Sequence, residues 1–276
     1  MINRAICAAR SAYYGVYEPW RLQRERRANL DGLWRGWTAK LDPLVSVIIP
    51  TFNRAELLLT RALPSVLAQT YRNIEVLVCA HGCTDDTWYR ATDMIIRQRP
   101  IVEGRVIEVP RRRTYPPTAE NHWYAGPVDP INAGLKVARG AYIARIDDDD
   151  IWSEDHVERL LRFAQQGNYE FVSSAYETHN GKVEPYVVDG VRIGGTQTWL
   201  YRSYLRFMRY NIDCWRRKTN RVNDTEIQAR MVAAGVRMGY INAVTARVLP
   251  RPGERTIGLK AYLSDVASTE RRLQFN

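Results

Sequence analysis

Apolar positions recur along this chain with two alternating periods, and their order predicts strands and helices in turn. After Pro43, Val45-Ser46-Val47-Ile48-Ile49 is a short, almost unbroken apolar run that stops at Pro50, as a strand buried on both faces would. Glu56 to Leu67 changes to helical spacing, with Leu57, Leu58, Leu59, Ala62, Leu63, Val66 and Leu67 forming a stripe despite Pro64. Ile74 to Cys79 predicts a second strand, Asp85 to Gln98 a helix capped by Thr84 or Asp85, and Val106 to Val109 a third strand. Arg111 to Pro130 shows neither period and reads as a long surface loop. Ile131 to Arg139 then predicts a helix stopped by Gly140, and Ala141 to Ile146 a strand running straight into Asp147-Asp148-Asp149-Asp150. Further on come a helix over Glu154 to Gln166, a strand over Phe171 to Ala175, and an antiparallel excursion over Lys182 to Thr196 with glycine turns. A helix over Asp224 to Ala234 and two strand-like runs, Arg237 to Ile241 and Val244 to Leu249, complete the pattern.

Strands alternating with helices imply a Rossmann-like, mostly parallel α/β sheet with helices on both faces and a small antiparallel excursion. The chain has 276 residues, enough for one substantial core. We therefore divide it into a basic amphipathic helical segment, 1–42, a catalytic domain, 43–250, and a weakly patterned tail, 251–276. Within the first segment Ile2, Ile6, Ala9, Tyr13, Val16, Tyr17 and Trp20 recur at near-helical spacing among many arginines. Such a helix suits an anionic membrane surface or the protein's own core, and amphipathicity alone does not choose between them.

Charge adds one constraint: Lys and Arg total 40 against 30 Asp and Glu, a net of +10, which favours polyanionic partners. No stretch reaches the roughly 18 uncharged apolar residues of a spanning helix, and Arg4 and Arg10 interrupt any signal-peptide core. Cys7, Cys79, Cys83 and Cys214 lack paired C-x-x-C spacing, so the expected compartment is the cytoplasm, with peripheral attachment at the inner face of a membrane if residues 1–40 bind lipid.

Four consecutive carboxylates repel one another unless a cation neutralises them. Mg²⁺ or Mn²⁺, which take one or two carboxylates plus phosphate oxygens and water, would fit a nucleotide diphosphate at that spot. The plainer account is an acidic turn at a helix N-terminus. The flanking residues decide between them. Tyr142-Ile143-Ala144-Arg145-Ile146 leading into the aspartates and Ile151-Trp152 resembles the D-x-D region of family 2 glycosyltransferases. Upstream, Val45 to Arg54 is similar to that family's opening strand and nucleotide-binding loop, Gln69 to Val76 continuing through Gly82 to Thr87 looks like its second strand, and Asn132-Ala133-Gly134-Leu135 to Gly140 resembles the helix before D-x-D. The four blocks occur in the family's order over roughly residues 45 to 160, with weaker likeness to about 250.

That resemblance implies a GT-A fold and inverting transfer of a sugar from a nucleotide-diphosphate sugar to an acceptor hydroxyl, as in glycan or polysaccharide synthesis, with a glycan or a lipid-linked molecule as acceptor. Carried over by residue, Asp149 would ligate Mn²⁺ or Mg²⁺ and Asp147 or Asp148 would touch the donor. Pro50, Thr51, Phe52, Arg54 and Asn132 would line the donor site, Phe52 either facing the base or serving as a core aromatic. Where the family carries acidic residues after its second strand this chain has Ala80-His81, so His81 either hydrogen-bonds the base or is merely structural. The general base would be Asp224, or else Glu226, in Asn223-Asp224-Thr225-Glu226; a helix cap is the alternative role. Arg251 would reach the diphosphate or stay a solvated charge, and Trp199 or Trp215 would stack on a sugar or lie in the core. Two other readings remain: a basic nucleic-acid-binding protein, which leaves the acidic run unexplained so that nucleic acid is not the expected partner, and a nucleotidyltransferase, which also presents carboxylates to a metal.

Overall fold

The computed structural model describes residues 13–34, 42–98, 102–111, 115–188, 190–216, 222–252, 254 and 256–264. Expectations for residues 1–12, 35–41 and 265–276, and for the arginines at 112 and 113, lie outside the described residues. Helix α1, Glu18–Trp34, follows a π-helical turn, Tyr13–Tyr17. Strands β1, Val45–Thr51, β2, Ile74–His81, β3, Glu103–Val109, and β4, Tyr142–Arg145, run parallel in the order β3-β2-β1-β4. The sheet continues through three later strands. Leu200–Arg202 is antiparallel to β4, Phe171–Thr178 is antiparallel to that strand, and Met238–Val248 runs parallel to 171–178. Asp150–Trp152 closes the edge, antiparallel to 238–248.

Both faces of the sheet are covered, as the apolar runs predict. On β1, Val45, Val47 and Ile49 face one core and Ile48 faces the other, the two-residue period of a strand. Helix α2, 55–67, covers the first face with α3, Thr87–Arg97. Pro64 removes one backbone donor, and α2 runs through a π-helical turn, Leu58–Ala62, before Leu63–Leu67. Leu58, Ala62, Leu63 and Val66 are fully buried regardless, so the apolar stripe outweighs the proline.

The stretch 111–130 departs from expectation. It contains α4, Ala119–Ala125, started by Thr118, whose Oγ1 accepts from the Asn121 N–H at 3.2 Å. Helix α5, Val128–Val137, begins three residues before the predicted start. Pro127 and Pro130 read as loop signals, but both sit at the head of α5, where a missing N–H costs nothing. Gly134 lets α5 press on the sheet: a Cβ there would stand 2.7 Å from Ile48 Cγ2 and 3.0 Å from Cys79 Sγ. The two strand-like runs near the C-terminus form one strand, 238–248, whose register shifts near Val244. Helix α6, His156–Gln166, and helix α7, Asn223–Ala233, match expectation within two residues.

Candidate active site

Parallel strands deliver their carboxyl ends to one edge, and the loops leaving β1, β2 and β4 meet there. A cavity of about 200 Å³ opens at that edge. Pro50, Thr51, Phe52 and Arg54 line it from β1 and its loop, His81 from β2, and Asp147, Asp148 and Asp149 from the turn after β4. Asp224 joins them from the first turn of α7. Two predicted residues stand elsewhere. Asn132 does not line the cavity: its Nδ2 donates to the Tyr210 carbonyl at 2.9 Å and its Oδ1 accepts from the Tyr210 N–H at 3.0 Å, so the amide latches α5 to the 208–210 turn. Glu226 is fully buried and bonds Arg230 Nη2 at 2.8 Å, one turn along α7, with its side chain withdrawn from the cavity.

Each acidic residue of the run has its own environment. Asp147 accepts from Arg145 Nη2 at 2.8 Å. Asp148 is buried and accepts from Thr51 Oγ1 at 2.8 Å and Arg54 Nη1 at 3.0 Å. Burial, with the Asp149 charge beside it, raises its pKa against the pull of Arg54. Asp149 accepts from Arg251 Nε at 2.6 Å and lies 3.6 Å from Arg54. Burial opposes its ionisation, but Arg251 and Arg54 outweigh burial and hold this carboxyl below the usual range. Asp150 pairs with Val248 in the edge strand and lines a cavity adjoining the first, and burial together with the three neighbouring carboxylates pushes its pKa well up. Its backbone N–H donates to the Asp147 carbonyl at 3.2 Å, closing the 147–150 turn at the start of the edge strand.

Arg251 is neither solvated nor remote, since it bridges Asp149 and Glu254, and its guanidinium lies 5.8 Å from the rings of both Trp123 and Tyr262. The segment assigned to a tail thus contributes to the site. Arg61 ties that segment down from α2, donating to the carbonyls of Asp149, Leu249 and Pro250. Gly82, at φ +63°, turns the chain away after His81, where a Cβ would meet Arg111 Cβ at 2.9 Å. His81 is buried, and burial lowers its pKa, leaving a neutral ring whose Nε2 has no partner among the described residues. The Arg111 guanidinium lies 3.8 Å from the Phe52 ring centroid, which covers one face of that ring.

A second cavity, of about 190 Å³, adjoins the first. The two share Trp123, Asp147, Asp149, Asp224 and Arg251 as a common wall. Asp224 Oδ2 accepts from Thr196 Oγ1 at 2.8 Å and Oδ1 from the Thr225 N–H at 2.7 Å; the N-cap of α7 is Val222, without a side-chain cap, so Asp224 is not the helix cap and it faces both cavities. Trp199 is fully buried, its Nε1 bonded to the Gly194 carbonyl at 2.9 Å, and it belongs to the core; Trp215 lines neither cavity. Trp123, which does line them, falls in the stretch that reads as a loop; only its aromatic type between Pro116 and Pro127 marked it. Arg145 and Tyr262 carried no sequence signal of their own.

The family model for Glycosyl transferase family 2 matches residues 46–226. The chain belongs to that family. An Escherichia coli UDP-Glc:alpha-D-GlcNAc-diphosphoundecaprenol beta-1,3-glucosyltransferase, WfaP, is 31% identical over 148 residues, 54% of this chain and 50% of that protein. A second E. coli glucosyltransferase of the same description, WfgD, is 33% identical over 139 residues, 50% and 48% of the two chains. The chain thus spans about half the length of these curated relatives. Among solved structures, Staphylococcus aureus TarS 1-349 in complex with UDP-GlcNAc has a TM-score of 0.57 at 18% identity, covering 78% of this chain and 61% of that one. Mannosyltransferase PcManGT from Pyrobaculum calidifontis, in complex with GDP-Man and Mn²⁺, has a TM-score of 0.55 at 19% identity, covering 92% and 70%. The fold of this family 2 chain is accordingly GT-A. Neither nucleic-acid binding nor nucleotidyl transfer is what the family match indicates.

Proposed function

We propose that this protein transfers a glycosyl group, with inversion, from a nucleotide-diphosphate sugar to a hydroxyl of a lipid-linked saccharide. The observation that carries the reading is the wall shared by the two cavities, where Asp149, Asp147 and Asp224 separate the cleft at the ends of β1 and β2 from an adjoining one. The nucleotide and diphosphate would occupy the larger cleft beside Pro50, Thr51, Phe52 and His81, and the acceptor the smaller one beside Trp123 and Tyr176. Asp224 would take the proton of the acceptor hydroxyl as its oxygen attacks the anomeric carbon. The bond from that carbon to the diphosphate oxygen breaks in the same displacement, and the electron pair leaves with the nucleoside diphosphate. Arg54 and Arg251 line the same cleft and would stabilise the charge that grows on that leaving group.

A divalent metal fits the residues present. No group of three or more His, Cys, Asp or Glu side chains converges among the described residues, so a closed all-protein site is not on offer. Mg²⁺ and Mn²⁺ need only one or two carboxylates when a diphosphate supplies further oxygens, and Asp149, ionised and lining both cavities, is such a donor. When bound, the metal would offset negative charge on the diphosphate. Two relatives act on acceptors carried by diphosphoundecaprenol. No helix among the described residues is long and apolar enough to cross a membrane, so a lipid-linked acceptor would be met at the membrane surface, which we place on the cytoplasmic side. The test is a panel of nucleoside-diphosphate sugars with Mn²⁺ and a lipid-diphosphate saccharide. Release of nucleoside diphosphate with formation of an inverted glycoside is expected; release of pyrophosphate, or no turnover with any donor, overturns the reading.

A further inference from the structure

Among the described residues, the bonds and buried contacts that fix helix α1 to the body fall on one face. Leu22 is 1% exposed and packs in the second core, and Glu18 is buried beside it. Arg26 forks onto Glu170, with Nε at 2.8 Å, and Gln23 Nε2 donates to the Ala233 carbonyl at 3.0 Å. The membrane and own-core readings of this segment are therefore not exclusive, because docking uses a single face.

Tyr13, Val16, Tyr17, Trp20, Arg24 and Arg27 recur every three or four residues on the face opposite Leu22. Tyr13, Val16, Tyr17 and Trp20 are 41%, 72%, 50% and 53% exposed. Their rings form a contiguous row, with centroids 5.5 Å apart from Tyr13 to Tyr17 and 5.9 Å from Tyr17 to Trp20. The Arg24 guanidinium stands 5.6 Å from the Trp20 ring. At the far end of the helix, Ala28 and Asn29 border a groove of about 560 Å³ that Lys136, Arg206 and Arg209 line from the body. These three cations are exposed.

An aromatic row ahead of a cluster of cations matches an anionic bilayer, where Trp and Tyr sit at headgroup depth and Lys and Arg meet lipid phosphates. A second copy of the chain would match the rings but set arginine against arginine. We propose that this exposed face of α1, with its aromatic row, Arg24 and Arg27, docks the enzyme on an anionic lipid surface. The inference adds a place of action to the lipid-linked acceptor reading but rests on α1 itself, not on the donor cleft.

The full chain is tested by co-sedimentation with phosphatidylcholine vesicles with and without phosphatidylglycerol, at low and high salt. Binding is expected only with phosphatidylglycerol and is weakened by salt. Arg24→Gln and Arg27→Gln each lower it about fivefold, and Trp20→Ser lowers it about tenfold or more, while melting temperatures and transfer to a soluble acceptor stay as in the parent. Equal binding to both vesicle types, or indifference to all three substitutions, overturns the proposal. So does a concentration-dependent dimer in sedimentation velocity that Trp20→Ser abolishes, since the face would then pair copies. Vesicle binding without sugar transfer would remove the functional reading and leave this one standing.

Discussion

The two walls of the site treat their carboxylates differently. On the wall built from β1 and β4 each acidic side chain facing the larger cavity has a guanidinium partner: Arg145 for Asp147, Arg54 for Asp148, and Arg251 with Arg54 for Asp149. On the wall built from α7, Asp224 meets only a hydroxyl and a backbone N–H among the described residues. Buried charges need partners, so the first wall is a fixed array of alternating charge suited to an anionic diphosphate. A carboxylate without a cation keeps lone pairs open to an acceptor proton. The contrast teaches that neighbouring aspartates in one pocket can be structural, anion-organising or basic according to what faces them.

The comparison breaks most sharply at Asp224. Asp224→Asn is expected to lower kcat by about 10²- to 10⁴-fold with donor affinity unchanged, measured by nucleoside-diphosphate release beside calorimetric titration of donor. Unaltered turnover would move the base to another residue. Next in size is Trp199 against Trp123. Trp199→Ala, in the core, should cost about 3–5 kcal/mol by chemical denaturation, whereas Trp123→Ala, half-buried at the edge of the second core, should cost less and raise the acceptor KM. Arg251→Ala should weaken donor binding by about tenfold or more, since Asp149 then loses the partner that keeps it ionised and placed. A parental affinity would assign Arg251 to the segment's anchoring alone.

A further effect concerns pH and lies away from both walls. His156 is fully buried, stacked on Trp152 with Nδ1 2.7 Å from Thr245 Oγ1, and burial lowers its pKa from 6.5 to about 3. The unfolded chain binds the proton first, so this histidine's contribution is complete above pH 6.5 and is lost as pH falls toward 3. The slope is at most about 1.4 kcal/mol per pH unit. The difference in unfolding free energy between the parent and His156→Gln should narrow with that sign between pH 7 and pH 4; a constant difference would refute it.

The same two walls differ in how far the sequence disclosed them. The wall from β1 and β4 rests on strands whose apolar runs are local and whose carboxyl ends lie next to the motifs, so the meeting of Pro50 to Arg54, His81 and Asp147 to Asp149 at one cavity was legible. Asn132 was misjudged because the motif names a helix, while the residue's bonding depends on Tyr210, far along the chain. Glu226 was misjudged for a geometric reason, since two residues along a helix turns a side chain to a different face from that of Asp224. Trp123 and Tyr262 escaped because proline-rich and weakly periodic stretches carry no signal for helices placed by tertiary contact.

Asp149 is held by Arg54, just after β1, and by Arg251, just after strand 238–248. A polypeptide emerging from the ribosome would have β1 to β4 available for pairing well before Arg251 appears. Contacts of such sequence separation form late in folding. The nascent protein would therefore own a sheet before it owned a competent site, with catalysis withheld until Arg251 has closed on Asp149.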